Sequence, residues 1–123
     1  MKNLAFVFIG GGTGSMARYL LGKFLNNSTT GIPYGTFLAN ILGSLLIGLI
    51  LGYFAKSENL SQETTLLLAT GFCGGFTTFS TFAYESHLFL KSGDFISFTA
   101  YALASIVVGF AAVFLGMWLG KFI

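Results

Sequence analysis

The sequence predicts an all-α membrane protein that crosses the bilayer four times. Hydrophobic residues make up 54% of the 123 residues and charged residues only 8%, whereas a soluble domain carries about 25% charged residues. The apolar residues form four runs, each near the roughly 20 residues that a helix needs to cross a hydrocarbon core. Because lipid cannot satisfy unpaired backbone groups, these runs should be helical. We expect one transmembrane domain over residues 1–123.

The first two predicted spans cover about Leu4–Leu25 and about Thr36–Phe54. The start of the chain faintly resembles a signal peptide, but the apolar pattern resumes after Arg18, so we expect an uncleaved span. Pro33 precedes the second span, where a proline can start a helix without breaking it. The polar residues 26–31 should form the loop between the two spans.

The third and fourth predicted spans cover about Thr65–Leu90 and about Phe95–Phe122. Ser61 is a suitable N-cap residue for the third span. The polar residues 56–59 and 91–94 separate these spans from their neighbours. No loop is long enough to hold a soluble domain.

The middle of the third span has a composition that is unfavourable for a helix. Residues 71–82 read GFCGGFTTFSTF, and each glycine costs about 1 kcal/mol relative to alanine inside a helix. One interpretation is a helix broken at mid-membrane, whose freed carbonyls suit a cation and whose half-helix N-termini suit an anion. The other is a kinked, continuous helix whose Ser and Thr side chains bond to their own backbone.

The positive charges give almost no orientation signal. With four spans, one side of the membrane holds Lys2, Lys56 and Lys121. The other side holds Lys23 and Lys91, with Arg18 deeper in its span. Two copies could therefore insert oppositely and pair about an axis in the membrane plane. The alternative is a single orientation set by a weak bias and the insertion machinery.

Several polar and aromatic side chains inside the spans are candidates for a functional site, because such groups are costly in lipid. Asn40 lies on the second span and Tyr101 and Ser105 on the fourth. The ring edges of Phe79 and Phe82 could face an anion, although plain packing is the ordinary role of Phe in a membrane helix.

Arg18 and Glu85 are the firmly ionised residues deep in the predicted spans. They could form an ion pair, or Arg18 could line a vestibule that attracts anions. His87 is expected at the membrane interface.

Glycines with the spacing G-x-x-x-G predict close contacts between helices, within one chain or across a dimer. These pairs are Gly10 and Gly14, Gly48 and Gly52, and Gly116 and Gly120. Residues 12–17 also fit a dinucleotide-binding fingerprint, but that motif needs a preceding strand and a later acidic residue. No acidic residue occurs before Glu58, so we interpret these glycines as helix contacts too.

Two motifs resemble the signatures of the Fluc/CrcB fluoride channel family. Residues 71–82 are similar to its third-helix motif, and residues 35–44, GTFLANILGS, to its second-helix motif. The glycine-rich first span with Arg18 is also similar, and the resemblance extends from about Gly10 to Gly120. It implies an antiparallel, dual-topology homodimer in the cell (inner) membrane. Such a dimer has two pores that export cytoplasmic fluoride passively.

The resemblance also implies roles for individual residues. The fluoride pore would be lined by Phe79, Phe82, Asn40, Ser80, Thr81, Tyr101 and Ser105. Backbone carbonyls of Gly74 and Thr77 from both subunits would hold one structural sodium ion that is not transported. The physics is compatible, since hydroxyls, an amide and aromatic edges can replace the water around a small anion without binding it too tightly.

Other classes of protein fit the sequence less well. A small multidrug exchanger is also short and four-helical, but it needs a carboxylate in its first span, and this span has none. An assembly subunit without transport activity would explain the glycines but not the polar third span. We expect no enzyme, because no nucleophile–base pair or metal-ligand cluster occurs, and no nucleic-acid partner, because the net charge is only +2.

Overall fold

The computed structural model describes residues 1–27, 29, 31–57 and 60–123, which are almost entirely helical. Ser28, Thr30, Glu58 and Asn59, which belong to two of the predicted loops, lie outside the described residues. Four segments are long and apolar enough to cross a membrane: Lys2–Leu25 (α1), Tyr34–Lys56 (α2), Gln62–Lys91 and Phe95–Gly120 (α6). The prediction of an all-α protein with four spans is therefore confirmed.

The third span contains more than one kind of helix. It consists of α3 (Gln62–Thr65), a π-helical segment (Leu66–Cys73), α4 (Gly74–Phe76) and α5 (Ser80–Lys91). Between α4 and α5, Thr77 is extended with φ −87° and ψ 157°, and the next two residues also lie outside the helices. We call residues 77–79 the interruption.

Side-chain caps begin two of the helices. The Ser61 hydroxyl accepts a hydrogen bond from the Thr64 amide and caps α3, as the sequence predicted. The Asp94 carboxylate accepts from the Ser97 amide at 3.1 Å and caps α6. Hydrogen bonds from Ser97 hold the pKa of Asp94 below its usual range, so a negative charge stabilises the N-terminus of α6.

The predicted glycine pairs bring α2 and α6 into backbone contact within one chain. A Cβ atom added to Gly52 would lie 2.8 Å from the Met117 Cα, and one added to Gly120 would lie 2.8 Å from the Tyr53 amide nitrogen. Gly48 and Gly116 are enclosed in the same way. Glycine is required here because any side chain would push the two helices apart.

Glycines also bring α1 close to the first half of the third span. A Cβ at Gly10 would lie 3.0 Å from the Gly71 Cα, and one at Gly75 would lie 3.0 Å from the Gly11 Cα. Gly14 is buried in the same contact. Gly12 makes no such contact within the chain: nothing lies within 4 Å of its Cβ position, because two residues turn it about 200° from Gly10 and Gly14.

The two halves of the third span rest on different helices. The π-helical segment and α4 pack mainly against α1, whereas α5 packs mainly against α6 and also touches α2. Within the part of the chain that the structure describes, α1 and α5 make no contact. The interruption is therefore the junction between two separately supported halves.

Much of each span remains uncovered by the rest of the chain. Only 11% to 22% of the most apolar window of each span is buried. The uncovered side chains are largely apolar, as a lipid-facing surface requires. The hydrophobic residues buried inside the chain are few and mostly small, for example Ala39, Ala69 and Cys73.

Candidate functional site

Asn40 of α2 holds the backbone of the interruption with both of its polar atoms. Its Oδ1 accepts a hydrogen bond from the Thr78 amide at 2.7 Å, and its Nδ2 donates to the Thr78 carbonyl at 3.1 Å. A carboxamide is the side chain that offers an acceptor and a donor side by side, as a peptide group does. Asn40 therefore replaces the helical hydrogen bonds that Thr78 lacks.

Thr78 in turn begins the second half of the span. Its hydroxyl accepts from the Thr81 amide at 3.2 Å. Thr78 lies one residue before the N-cap position of α5, Phe79, so it supplies an acceptor to the first turn of that helix. The same hydroxyl lies 3.2 Å from the Thr81 Oγ1 and 3.4 Å from the Ser80 Oγ. Ser80 and Thr81, which the sequence analysis assigned to the pore, thus belong to a hydroxyl cluster at the start of α5, next to Asn40.

A cavity of about 770 Å³ opens beside this cluster, between the third span, α2 and α6. The lining includes six of the residues singled out by the sequence: Asn40, Gly74, Thr77, Phe79, Phe82 and Ser105. It also includes Ser44, Thr78 and Phe110. No charged side chain is among the described residues that line it. The cavity is thus a mostly apolar space that is lined in part by hydroxyl and amide groups.

Phe79 and Phe82 form a pair of rings at the cavity. Their centroids are 5.8 Å apart and their planes are tilted by 48°. Phe79 is 79% exposed, so the chain itself does not pack against most of its ring. Phe82 also contacts the Tyr101 ring at 5.2 Å between centroids, which joins the pair to α6.

A second polar cluster surrounds the Glu85 carboxylate. The Thr36 hydroxyl donates to its Oε2 and the Tyr101 hydroxyl to its Oε1, both at 2.9 Å. The Asn26 Oδ1 accepts from the amides of Gly35 and Thr36 at 2.7 and 3.2 Å, and its Nδ2 lies 3.4 Å from the Thr36 Oγ1. This cluster joins the end of α1 to α2, α5 and α6.

The side chains of Arg18 and Glu85 form hydrogen bonds with different groups. Arg18 Nε donates to the Gly75 carbonyl at 3.1 Å, whereas Glu85 accepts from two hydroxyls. The ion pair found among the residues that the structure describes joins the Lys2 Nζ and the Glu63 Oε1, which are 2.5 Å apart. The ion pair considered for Arg18 and Glu85 is therefore absent from the described contacts.

Sequence reasoning did not assign Thr36, Thr78 or Asn26 to the site. Thr36 lies four residues before Asn40, a spacing that places both on one face of α2, so this signal was present. Thr78 belongs to the polar stretch 71–82, but no feature of the sequence distinguished it from its neighbours. Asn26 offered no signal, because its role depends on how the chain turns between α1 and α2.

Comparison with known proteins finds sequence similarity over almost the whole chain. Residues 5–117 match the family described as CrcB-like protein, Camphor Resistance (CrcB). A fluoride-specific ion channel FluC from Gloeothece citriformis is 47% identical over 122 residues, which cover 98% of both chains. A protein of the same name from Phocaeicola vulgatus is 47% identical over 98% of this chain and 100% of its own.

A third protein of that name, from Chlorobaculum tepidum, is 46% identical over 98% of this chain and 96% of its own. These relatives are named for an ion channel, and the expectation that the chain is not an enzyme is confirmed by them. Identity of this extent over the full length shows common family membership, and it confirms the resemblance found in the sequence motifs. The chain belongs to the CrcB-like protein family.

Proposed function

We propose that the chain is a fluoride-selective channel that lets cytoplasmic fluoride leave passively. The observation that carries the proposal is the cavity at the interruption, which is lined by the Asn40 amide, several hydroxyl side chains and the rings of Phe79 and Phe82. The names of the full-length relatives support the same ion.

The chemistry of the cavity suits a small anion that must also leave. Hydroxyl and amide hydrogens, together with the positive edges of aromatic rings, can replace part of the water around fluoride. The described lining carries no charged side chain, so no fixed cation would trap the anion. The direction of net flux follows from chemistry outside the protein: hydrogen fluoride enters as a neutral acid and dissociates in the more alkaline cytoplasm.

The working unit in this proposal is an antiparallel homodimer with two pores, in the cell (inner) membrane. The nearly balanced lysines favour insertion in both orientations. The cavity and the largely exposed Phe79 ring offer a surface that a second copy would cover. In this assembly the interruption lies at mid-membrane, where freed backbone groups are tolerated only inside protein.

A structural sodium ion fits the carbonyls at the end of α4. Thr77 donates both its amide and its hydroxyl to the Cys73 carbonyl, at 3.0 and 2.8 Å. None of the described backbone hydrogen bonds outside the helices reaches the carbonyls of Gly74 or Thr77. Unwound backbone carbonyls are suitable ligands for sodium. Gly74 and Thr77 would therefore hold the ion, and its charge would add positive potential near both pores.

Fluoride efflux from liposomes tests the proposed function directly. Purified protein is reconstituted, in buffer that contains sodium, in vesicles loaded with potassium fluoride or potassium chloride, and valinomycin carries the balancing potassium. We expect fast fluoride release and chloride release close to that of protein-free vesicles. Equal release of both anions, or release of neither, would contradict a fluoride-selective channel. A dependence of the release on a transmembrane proton gradient would favour an exchanger.

A further inference from the structure

The Gly75 carbonyl lies near the end of α4, where the helix cannot supply its usual backbone donor. The residue that would donate four positions later is Phe79, which lies beyond the extended Thr77. Among the described backbone hydrogen bonds outside the helices, none joins the Phe79 amide to Gly75. A carbonyl without a donor is costly inside a membrane span.

Two side chains of α1 supply the missing donors. The Arg18 Nε–H donates to the Gly75 carbonyl at 3.1 Å, and the Ser15 hydroxyl donates to the same oxygen at 3.4 Å. A hydrogen bond from an ionised guanidinium is stronger than a neutral one. The positive charge also lies at the C-terminal end of the helical run 62–76, where the helix dipole favours it.

The packing of α1 holds Arg18 in register with this oxygen. A Cβ at Gly75 would lie 3.0 Å from the Gly11 carbonyl carbon, so the two backbones are in direct contact one helical turn before Ser15. Because α1 contacts the first half of the third span but not α5 in the described structure, Arg18 acts on the end of that half alone.

We propose that Arg18 is a positioning residue of the channel. Its Nε–H, assisted by the Ser15 hydroxyl, fixes the end of α4 and so the direction in which residues 77–79 leave it. Asn40 holds the other side of the same interruption through Thr78. The inference rests on the proposed function, because Phe79 is part of the proposed pore. It differs from a vestibule role, in which the charge of Arg18 would matter and its Nε–H would not.

Three substitutions separate the hydrogen bond from the charge. Arg18→Gln places an uncharged N–H donor the same number of bonds from Cα as the arginine Nε. Arg18→Met has similar length but no donor, and Arg18→Lys keeps the charge but places its nitrogen one bond further out. Lys23→Gln is the matched control: it removes one positive charge from an exposed position of the same helix.

Two measurements follow the variants: fluoride efflux per folded protein, and the alkylation rate of Cys73 by N-ethylmaleimide. Cys73 is the single cysteine of the chain, is only 1% exposed, and precedes Gly75 by two residues. Its labelling therefore reports local opening near the end of α4, whether or not the channel conducts. A thermal unfolding midpoint for each variant separates this local effect from general destabilisation.

We expect Arg18→Met to lower fluoride efflux and to raise Cys73 labelling, each by about tenfold, the factor expected for the loss of one charge-assisted hydrogen bond. Arg18→Gln should stay within about threefold of the native protein in both measurements, since it keeps the donor. Ser15→Ala should shift both in the direction of Arg18→Met, and Lys23→Gln should shift neither.

Opposite results would overturn the proposal. If Arg18→Lys behaves like the native protein while Arg18→Gln does not, the charge acts and the Nε–H does not. If Arg18→Met leaves labelling and efflux unchanged, neither acts. If Arg18→Met does not fold, the comparison of Arg18→Gln with Arg18→Lys still shows whether the hydrogen bond or the charge acts. Failure of the proposed function is a separate result: the native protein would release no fluoride, while Cys73 labelling would still test the hydrogen bond from Arg18 to the Gly75 carbonyl.

Discussion

The Asn40 side chain and the Thr78 backbone form a two-point pair, with Oδ1 accepting at 2.7 Å and Nδ2 donating at 3.1 Å. The pair ties α2 to Thr78, whose amide and carbonyl are in none of the described backbone hydrogen bonds outside the helices. Since Asn40 also lines the cavity, a single side chain both builds the site and faces it.

Replacing Asn40 with leucine should destabilise the protein and lower fluoride efflux. The substitution keeps the volume but leaves the Thr78 N–H and C=O unpaired, and each unsatisfied buried group costs about 1–3 kcal/mol. The free energy of unfolding in detergent measures the first effect. Ser44→Ala is the control, one turn along α2 in the same cavity. An equal loss in both variants would mean that any lost polar group in the cavity has this effect.

Replacing Phe79 or Phe82 with isoleucine or methionine should lower fluoride efflux more than it lowers stability. Such swaps keep the hydrophobic volume and usually cost less than about 1.5 kcal/mol, but they remove the positive ring edge. Each 1.4 kcal/mol of lost stabilisation of the passing ion would slow efflux by about tenfold. The measurement is efflux per folded protein.

Phe110 and Phe72 are the matched controls for the ring pair. Phe110 lines the same cavity on α6, and Phe72 stacks on Phe76 away from the pair. Phe76 is less suitable, because it is only 8% exposed and its replacement would weaken the packing. If efflux falls equally in all these variants, the rings of Phe79 and Phe82 serve packing alone.

Tyr101→Phe should destabilise the protein by removing one of the two hydroxyl donors to Glu85. The ring contacts with Phe82 and Phe89 should persist, because the rings are alike. We expect a loss of about 1–3 kcal/mol, the usual effect of leaving a partly buried acceptor without its donor. Tyr84→Phe, on the exposed side of α5, should change the unfolding free energy by less than about 0.5 kcal/mol. Similar losses in both variants would count against the role of the Glu85 cluster.

Removing sodium should suppress fluoride efflux, and restoring it should recover the efflux. The proposed ligands are neutral carbonyls at the end of α4, so weak binding and full reversibility are expected. N-methylglucamine replaces sodium in the sodium-free vesicles at equal ionic strength, and vesicles that retain sodium are the control. Efflux that stays unchanged after exhaustive sodium removal would rule out a required ion at Gly74 and Thr77.

Both orientations of the chain should occur in one membrane. The lysines are nearly balanced between the two sides, so a topology reporter fused after Ile123 should give signal on both sides. Two lysines added beside Lys91 should trap one orientation and abolish efflux, and an oppositely biased copy should restore it. A reporter signal on one side alone would exclude the antiparallel dimer.

The four spans could be predicted from the sequence because hydropathy and length decide them. The second span is longer than its prediction, Tyr34–Lys56 instead of Thr36–Phe54, since the helix begins directly after Pro33 and continues to the residue before Ser57. The spacing of the glycines also predicted close helix contacts. Which helices those glycines join, however, depends on the three-dimensional arrangement of the spans, and the structure places the contacts within one chain.

The partners of individual polar groups could be predicted less well. One hypothesis from the sequence paired Arg18 with the carboxylate of Glu85, because opposite charges attract. The structure gives Arg18 a backbone carbonyl instead, because the helix ends at α4 and a partial negative charge is left there. Such a partner becomes visible only when the ends of the helices and their crossing points are known.

The division of the third span between two supports has a consequence for the order of assembly during synthesis. Its first half can dock on α1, which is already in the membrane when residues 62–76 emerge. Its second half and α2 depend on α6, which leaves the ribosome after both of them. In a nascent chain that stops before residue 95, α1 would therefore be packed against the first half of the third span. The helices α2 and α5 would lack α6, their main neighbour. Premature termination should leave these two helices open to membrane proteases, which would remove incomplete chains.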